Sequence, residues 1–122
     1  MSKFKINANK GFTMTFANGW SISVQFGPGN YGDNQNDEFG SQWNHEHCYT
    51  SHTAEIAIIK PGVKGGLIKI WDDMIEGWCS TNDVAELIQA VSNADPIITP
   101  EEMTEQIHKL PMMVSRIWDT RL

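Results

Sequence analysis

The chain has 122 residues, of which 40% are hydrophobic and 20% charged, a composition typical of one ordinary globular domain. Fifteen acidic residues against nine basic ones give a formal net charge of −6, which disfavours nucleic acid as the main partner because phosphate contacts need clustered lysine and arginine. The polar start of the chain lacks the apolar core of a secretory signal, two cysteines imply no disulfide framework, and no apolar run reaches the roughly 18 residues of a membrane span, so we expect a cytoplasmic protein.

The first regular pattern indicates a β-hairpin over residues 12–26, because large apolar residues alternate with other residues on both sides of Asn18-Gly19. The apolar residues are Phe12, Met14 and Phe16 before the turn and Trp20, Ile22, Val24 and Phe26 after it. A two-residue turn would pair Phe16 with Ser21 and split the apolar set between two faces. We therefore predict a three-residue turn over residues 17–19, with Gly19 in the left-handed conformation.

Residues 27–52 form a long polar stretch without convincing periodicity. Loops of this length in a compact domain are usually functional or disordered, so we expect function here. Two aromatic residues lie in this loop where no apolar stripe requires them, and exposed aromatic side chains often anchor interfaces. Neighbouring carboxylates suit a basic protein partner. The predicted partner-binding residues are Tyr31, Asp33, Asp37, Glu38 and Trp43.

The same loop contains three histidines and a cysteine within eight residues, namely His45, His47, Cys48 and His52. Imidazole and thiolate are suitable ligands for zinc or another transition metal. The spacing matches no established zinc motif, so a solvated polar loop is the alternative interpretation. Catalysis at such a metal would also need an open coordination position and a base, for which Glu46 is the only adjacent candidate.

The next part of the chain predicts a second hairpin over residues 53–79. Ile56 and Ile58 belong to an alternating pattern that indicates a strand, and glycine-rich turn signals follow it. Residues 67–71 are predicted as its return strand. Residues 74–79 are ambiguous and are compatible with a short fifth strand.

Residues 80–122 predict a helical part. Ser80 and Asp83 form the start signal of a helix that ends near Asn93, and Thr99-Pro100 repeats that signal for a second helix. Pro111 either ends the second helix or begins a third. The predicted fold is a single α+β domain over residues 1–122: an antiparallel sheet of four to five strands with two or three C-terminal helices packed on one face.

Three segments carry a resemblance to other proteins. They are residues 11–19 with 23–31 (GFTMTFANG and SVQFGPGNY), residues 53–58 (TAEIAI), and residues 77–80 leading into 84–88 (GWCS and VAELI). In these segments the chain resembles small uncharacterised proteins encoded by tailed bacteriophages. The resemblance implies no catalytic residue. A phage origin implies a small protein that binds and inhibits a host or defence component.

We therefore expect a non-enzymatic binding protein of the phage type that inhibits a host defence system, either in the manner of an anti-CRISPR protein or by sequestering a signalling ligand. Its expected partner is a basic host protein or nucleoprotein complex in the host cytoplasm, without direct binding to nucleic acid or membrane; a homo-oligomer remains open. The alternative is a metal-dependent enzyme or metal-binding protein that holds zinc in residues 45–52.

Overall fold

The computed structural model describes residues 2–7, 10–26, 50–70 and 74–111. Five antiparallel strands form one sheet in the order β1-β2-β3-β4-β5, and two helices follow. The strands are β1 (Lys3–Ile6), β2 (Gly11–Thr15), β3 (Ser21–Gln25), β4 (Ala54–Ile59) and β5 (Ile75–Cys79), and the helices are α1 (Thr81–Ser92) and α2 (Pro100–His108). The predicted α+β class, with helices packed on an antiparallel sheet, is confirmed.

The first hairpin has the predicted register, in which Met14 lies opposite Ile22. Its turn is closed by two main-chain hydrogen bonds: Phe16 N–H donates to the Trp20 carbonyl over 2.8 Å, and Gly19 N–H donates to the Phe16 carbonyl over 2.9 Å. Gly19 has a φ of 88°, a conformation that glycine adopts without steric cost. The predicted three-residue turn is confirmed.

Strand β1 lies in the polar segment before the hairpin, where we predict no strand. It pairs with β2 so that Phe4 lies opposite Met14 and Ile6 lies opposite Phe12. Its sequence alternates lysine with an apolar residue, a period-two pattern that covers only four residues. This short segment becomes a strand because β2 offers it a row of main-chain partners.

The second hairpin is confirmed in its outward strand and differs from the prediction in its return strand. Leu67, in the predicted strand over residues 67–71, forms only an isolated bridge to Ile59. The return strand is instead β5, from the segment 74–79 that the sequence left ambiguous. It pairs with β4 through Ala57 and Ile75. Next to Leu67, Ile68 N–H donates to the Ile58 carbonyl over 3.1 Å, and Ile68 and Ile70 are buried in the core.

Both helices begin at the predicted caps. The Ser80 hydroxyl accepts from Asp83 N–H over 3.1 Å, and the Asp83 carboxylate accepts from Ser80 N–H over 3.0 Å. Thr99 and Glu102 form the same reciprocal pair at the start of α2. Residues 112–122, where the sequence leaves open a third helix, lie outside the described residues.

The hydrophobic core lies between the helices and one face of the sheet. Helix α1 packs against β3, β4 and β5. The buried side chains of the core are Trp20, Ile22, Val24, Ala54, Ile56, Ile58, Ile68, Ile70, Cys79, Leu87, Val91, Ala94, Ile98, Met103 and Ile107. None of the described helices combines the length and the apolar character needed to cross a membrane.

Candidate binding surface

The helix-facing surface of the sheet continues beyond the helices, onto β1. The side chains of Phe4 and Ile6 are 71% and 78% exposed there. Paired residues share a face, so Phe4 and Ile6 lie on the same face as Met14 and Phe12, which pack against the core. Phe4, Ile6, Phe12 and Met14 thus form a continuous apolar surface at one side of the sheet, which we call the apolar margin.

A ring contact holds the outer part of the apolar margin in place. The rings of Phe4 and Phe12 lie edge to face, with 6.3 Å between their centroids and an angle of 69° between their planes. This arrangement is favourable for aromatic pairs. An exposed side chain that is already positioned loses less conformational freedom on binding than a free one.

A groove of about 190 Å³ lies beside the apolar margin, between the end of the sheet and the start of α1. Its lining is mostly apolar, and residues 51–53 and Thr81 supply polar groups. The apolar lining consists of Phe12, Val24, Phe26, Ala54, Cys79 and Val84. Phe12 belongs to both surfaces, so the groove and the apolar margin are continuous.

The thiol in this groove belongs to Cys79, a fully buried cysteine. Its Sγ lies 3.7 Å from the Glu76 carbonyl oxygen and 3.8 Å from the Gly77 carbonyl oxygen, distances at which an S–H group is a weak donor. Cys79 directly precedes Ser80, the N-cap of α1. Its burial makes it a packed side chain of the core.

The outer edge of β1 presents main-chain groups as well as side chains. Asn7 N–H donates to the Gly11 carbonyl over 2.9 Å, which sets the phase of the β1–β2 ladder. Hydrogen-bonded pairs alternate along an antiparallel ladder, so Lys3 and Lys5 bond to β2 through their main chain. The N–H and carbonyl groups of residues 4 and 6 therefore point away from β2. Among the described strands, none pairs with this outer edge.

The opposite edge of the sheet carries a strained tryptophan. The β4–β5 register shifts so that Gly77 and Trp78 together lie opposite Glu55, which is a β-bulge. Trp78 has a φ of 57° and its side chain is 51% exposed. A left-handed conformation costs a residue with a side chain about 1–2 kcal/mol, and such strain is common at functional sites.

Most of the predicted site residues lie outside the described residues, namely Tyr31, Asp33, Asp37, Glu38, Trp43, His45, His47 and Cys48. His52 is described, and it is exposed and lines the groove. In the described ranges, no three histidine, cysteine, aspartate or glutamate side chains are grouped so that they would hold a metal ion. The binding loop and the zinc site therefore stay predictions.

The apolar margin is a feature that the sequence analysis missed. The alternation of lysine and apolar residues in β1 is too short to predict a strand, and nothing in it indicates that Phe4 and Ile6 are exposed. No protein-family model matches the chain, and neither a curated protein nor a solved structure matches it.

Proposed function

We propose that this chain is a non-enzymatic binding protein whose contact surface includes the apolar margin. The supporting observation is the exposure of Phe4 and Ile6, at 71% and 78%, on a strand of the sheet. An exposed apolar surface that continues into an apolar groove is typical of an interaction site. Full burial of each side chain against a partner contributes about 1.5–3 kcal/mol.

The proposed partner class follows from charge and from the resemblance to phage proteins. Residues 33–122 contain fifteen acidic and six basic residues, which favours a basic host protein or nucleoprotein complex. In this proposal residues 27–52 and the apolar margin both contact the partner. The chain then acts in the host cytoplasm as a phage-encoded inhibitor of a defence component.

Partner capture with surface variants tests the proposed function. The bait proteins are the wild type, a double variant carrying Phe4→Ser and Ile6→Ser, and the control Ile97→Ser. Ile97 is also a large exposed apolar side chain, at 86%, and it lies between the two helices rather than on β1. We expect the wild type and the control to capture the same protein from host extract, and the double variant to lose it.

Two outcomes contradict the proposal. Equal capture by all three baits shows that the apolar margin is not a contact surface. Failure of the wild type to retain any host protein above the level of an unrelated bait contradicts the binding function itself.

A further inference from the structure

We infer that the outer edge of β1 binds an extended segment of a partner protein as an added antiparallel strand, and that this segment alternates apolar with acidic residues. The inference rests on the proposed binding function and names the chemistry of the partner at this edge. It differs from the basic partner surface proposed for the acidic part of the chain, because the charge around β1 has the opposite sign.

No described strand pairs with the outer main chain of β1, which leaves it available for strand addition. All four residues of β1 are exposed. The hydrogen-bonding phase set by Asn7 and Gly11 directs the N–H and carbonyl groups of Phe4 and Ile6 outward. An incoming antiparallel strand would exchange pairs of hydrogen bonds with these two residues, as in other complexes that extend a sheet at its edge.

The side chains of β1 specify the alternation in the added strand. Successive residues of a strand point to opposite faces, so partner residues opposite Phe4 and Ile6 would extend the apolar margin. Partner residues opposite Lys3 and Lys5 would lie on the other face, beside the two ammonium groups. On β2 the neighbours of these lysines are Thr15 and Thr13, which carry no charge. A carboxylate on the added strand would thus be the favoured cross-strand partner.

The charge distribution along the chain supports an acidic segment. Residues 1–32 contain three lysines and no aspartate or glutamate, whereas residues 33–122 contain six basic and fifteen acidic residues. The first three strands of the sheet therefore form a basic part of an otherwise acidic protein. Charge complementarity between this part and a partner raises both the association rate and the specificity.

A second copy of β1 fits this edge poorly. Both antiparallel registers that pair three residues of β1 and keep Phe4 and Ile6 of the two copies on one face place a lysine of one copy opposite a lysine of the other. Like charges directly opposite each other destabilise strand pairing. The lysines thus discourage self-association and leave the edge open to an acidic segment.

Peptide binding to the full chain tests the inference. The probes are a short capped peptide that alternates glutamate with valine, and the same peptide with lysine in place of glutamate. We expect the wild type to bind the glutamate peptide at least about tenfold more tightly, as measured by fluorescence anisotropy at low salt. In the double variant Lys3→Glu and Lys5→Glu the preference should reverse. Both lysines are exposed, so the variant should keep the wild-type circular dichroism spectrum.

Two further arms test the main-chain contact. Methylation of the valine nitrogens in the glutamate peptide removes the donors opposite Phe4 and Ile6, and we expect at least about tenfold weaker binding. The variant Ile6→Pro removes an outward donor from the protein, and it should weaken binding to a similar degree. Proline is tolerated where an edge strand directs its N–H away from the sheet, so the β1–β2 ladder should survive.

Several results would overturn the inference. Absence of binding, equal binding of both peptides, or an unchanged preference in the charge-reversed variant excludes the acidic segment. Insensitivity to nitrogen methylation excludes strand addition. A concentration-dependent dimer that Ile6→Pro dissociates shows that a second copy occupies the edge. Capture by the Phe4→Ser and Ile6→Ser bait tests the binding function independently, since it does not depend on these peptides.

Discussion

The side-chain amide of Asn18 donates a hydrogen bond of 2.8 Å to the main-chain carbonyl of Val91, 73 residues later in the chain. The same nitrogen lies 3.0 Å from the Ala94 carbonyl, and the amide oxygen accepts from Trp20 N–H over 3.0 Å. The last carbonyls of a helix have no partners within it. The turn of the first hairpin therefore caps the C-terminal end of α1 and joins the two parts of the fold.

Loss of the Asn18 amide should destabilise the protein. We expect Asn18→Ala to lower the free energy of unfolding by about 1–3 kcal/mol, because the Val91 and Ala94 carbonyls at the end of α1 each lose a donor. Asn18→Asp should cost more, because a carboxylate would face carbonyl oxygens. Urea denaturation measures both effects. Asn82→Ala, at an exposed position in the first turn of α1, is the control and should stay within about 0.5 kcal/mol of the wild type. Equal values for Asn18→Ala and Asn82→Ala would contradict the capping role.

The contact between β2 and β3 at Gly11 leaves no room for a side chain. A Cβ atom at Gly11 would lie 2.0 Å from the Val24 carbonyl oxygen. We expect Gly11→Ala to cost at least about 3 kcal/mol, because the two strands would have to separate. Gly62→Ala is the control, since its Cβ would have no neighbour within 4 Å and its φ of 77° alone costs about 1–2 kcal/mol. Thermal melts should show a larger loss of stability for Gly11→Ala than for Gly62→Ala. The reverse order would show that the sheet adjusts at Gly11.

The backbone strain at Trp78 should invert the usual order of alanine and glycine. At an ordinary strand position alanine is more stable than glycine by roughly 0.5–1 kcal/mol. At Trp78, with its φ of 57°, we expect Trp78→Gly to be more stable than Trp78→Ala by about 1 kcal/mol. Ile75, an exposed residue of the same strand, is the control and should show the usual order. Chemical denaturation of the four variants measures the difference; the same order at both positions would argue against strain.

Substitutions in the predicted binding loop, residues 27–52, should weaken partner capture without affecting folding. We expect Tyr31→Ala and Trp43→Ala to abolish capture of the host protein while the melting temperature changes little, because exposed anchors contribute to the interface and not to the core. Differential scanning calorimetry and pull-down on the same preparations provide both readouts. A large loss of thermal stability would show instead that these aromatic residues are part of the core.

The zinc site predicted from His45, His47, Cys48 and His52 makes a stoichiometric prediction. Protein purified without chelator should carry about one zinc ion per chain, and the double variant His45→Ala and His47→Ala should lose it. His108, in α2, provides the control substitution, which should leave the zinc content unchanged. Elemental analysis measures the metal content. Less than about half an equivalent of zinc, iron or nickel per wild-type chain excludes the site.

The sequence by itself determined the features that depend on neighbouring residues. The register of the first hairpin followed from the alternation around Asn18 and Gly19, and both helix starts followed from their capping residues. Turn conformation and helix capping are decided within a few residues, so local chemistry is sufficient to predict them.

Only the tertiary structure decided which segment pairs with a given strand and which apolar side chains remain exposed. Ile75–Cys79 forms the strand beside β4, whereas Leu67 forms only an isolated bridge to Ile59. Phe4 and Ile6 alternate as Phe12 and Met14 do, yet they are exposed, because α1 packs on β3, β4 and β5. Exposure depends on where distant elements pack, and local alternation carries no information about that.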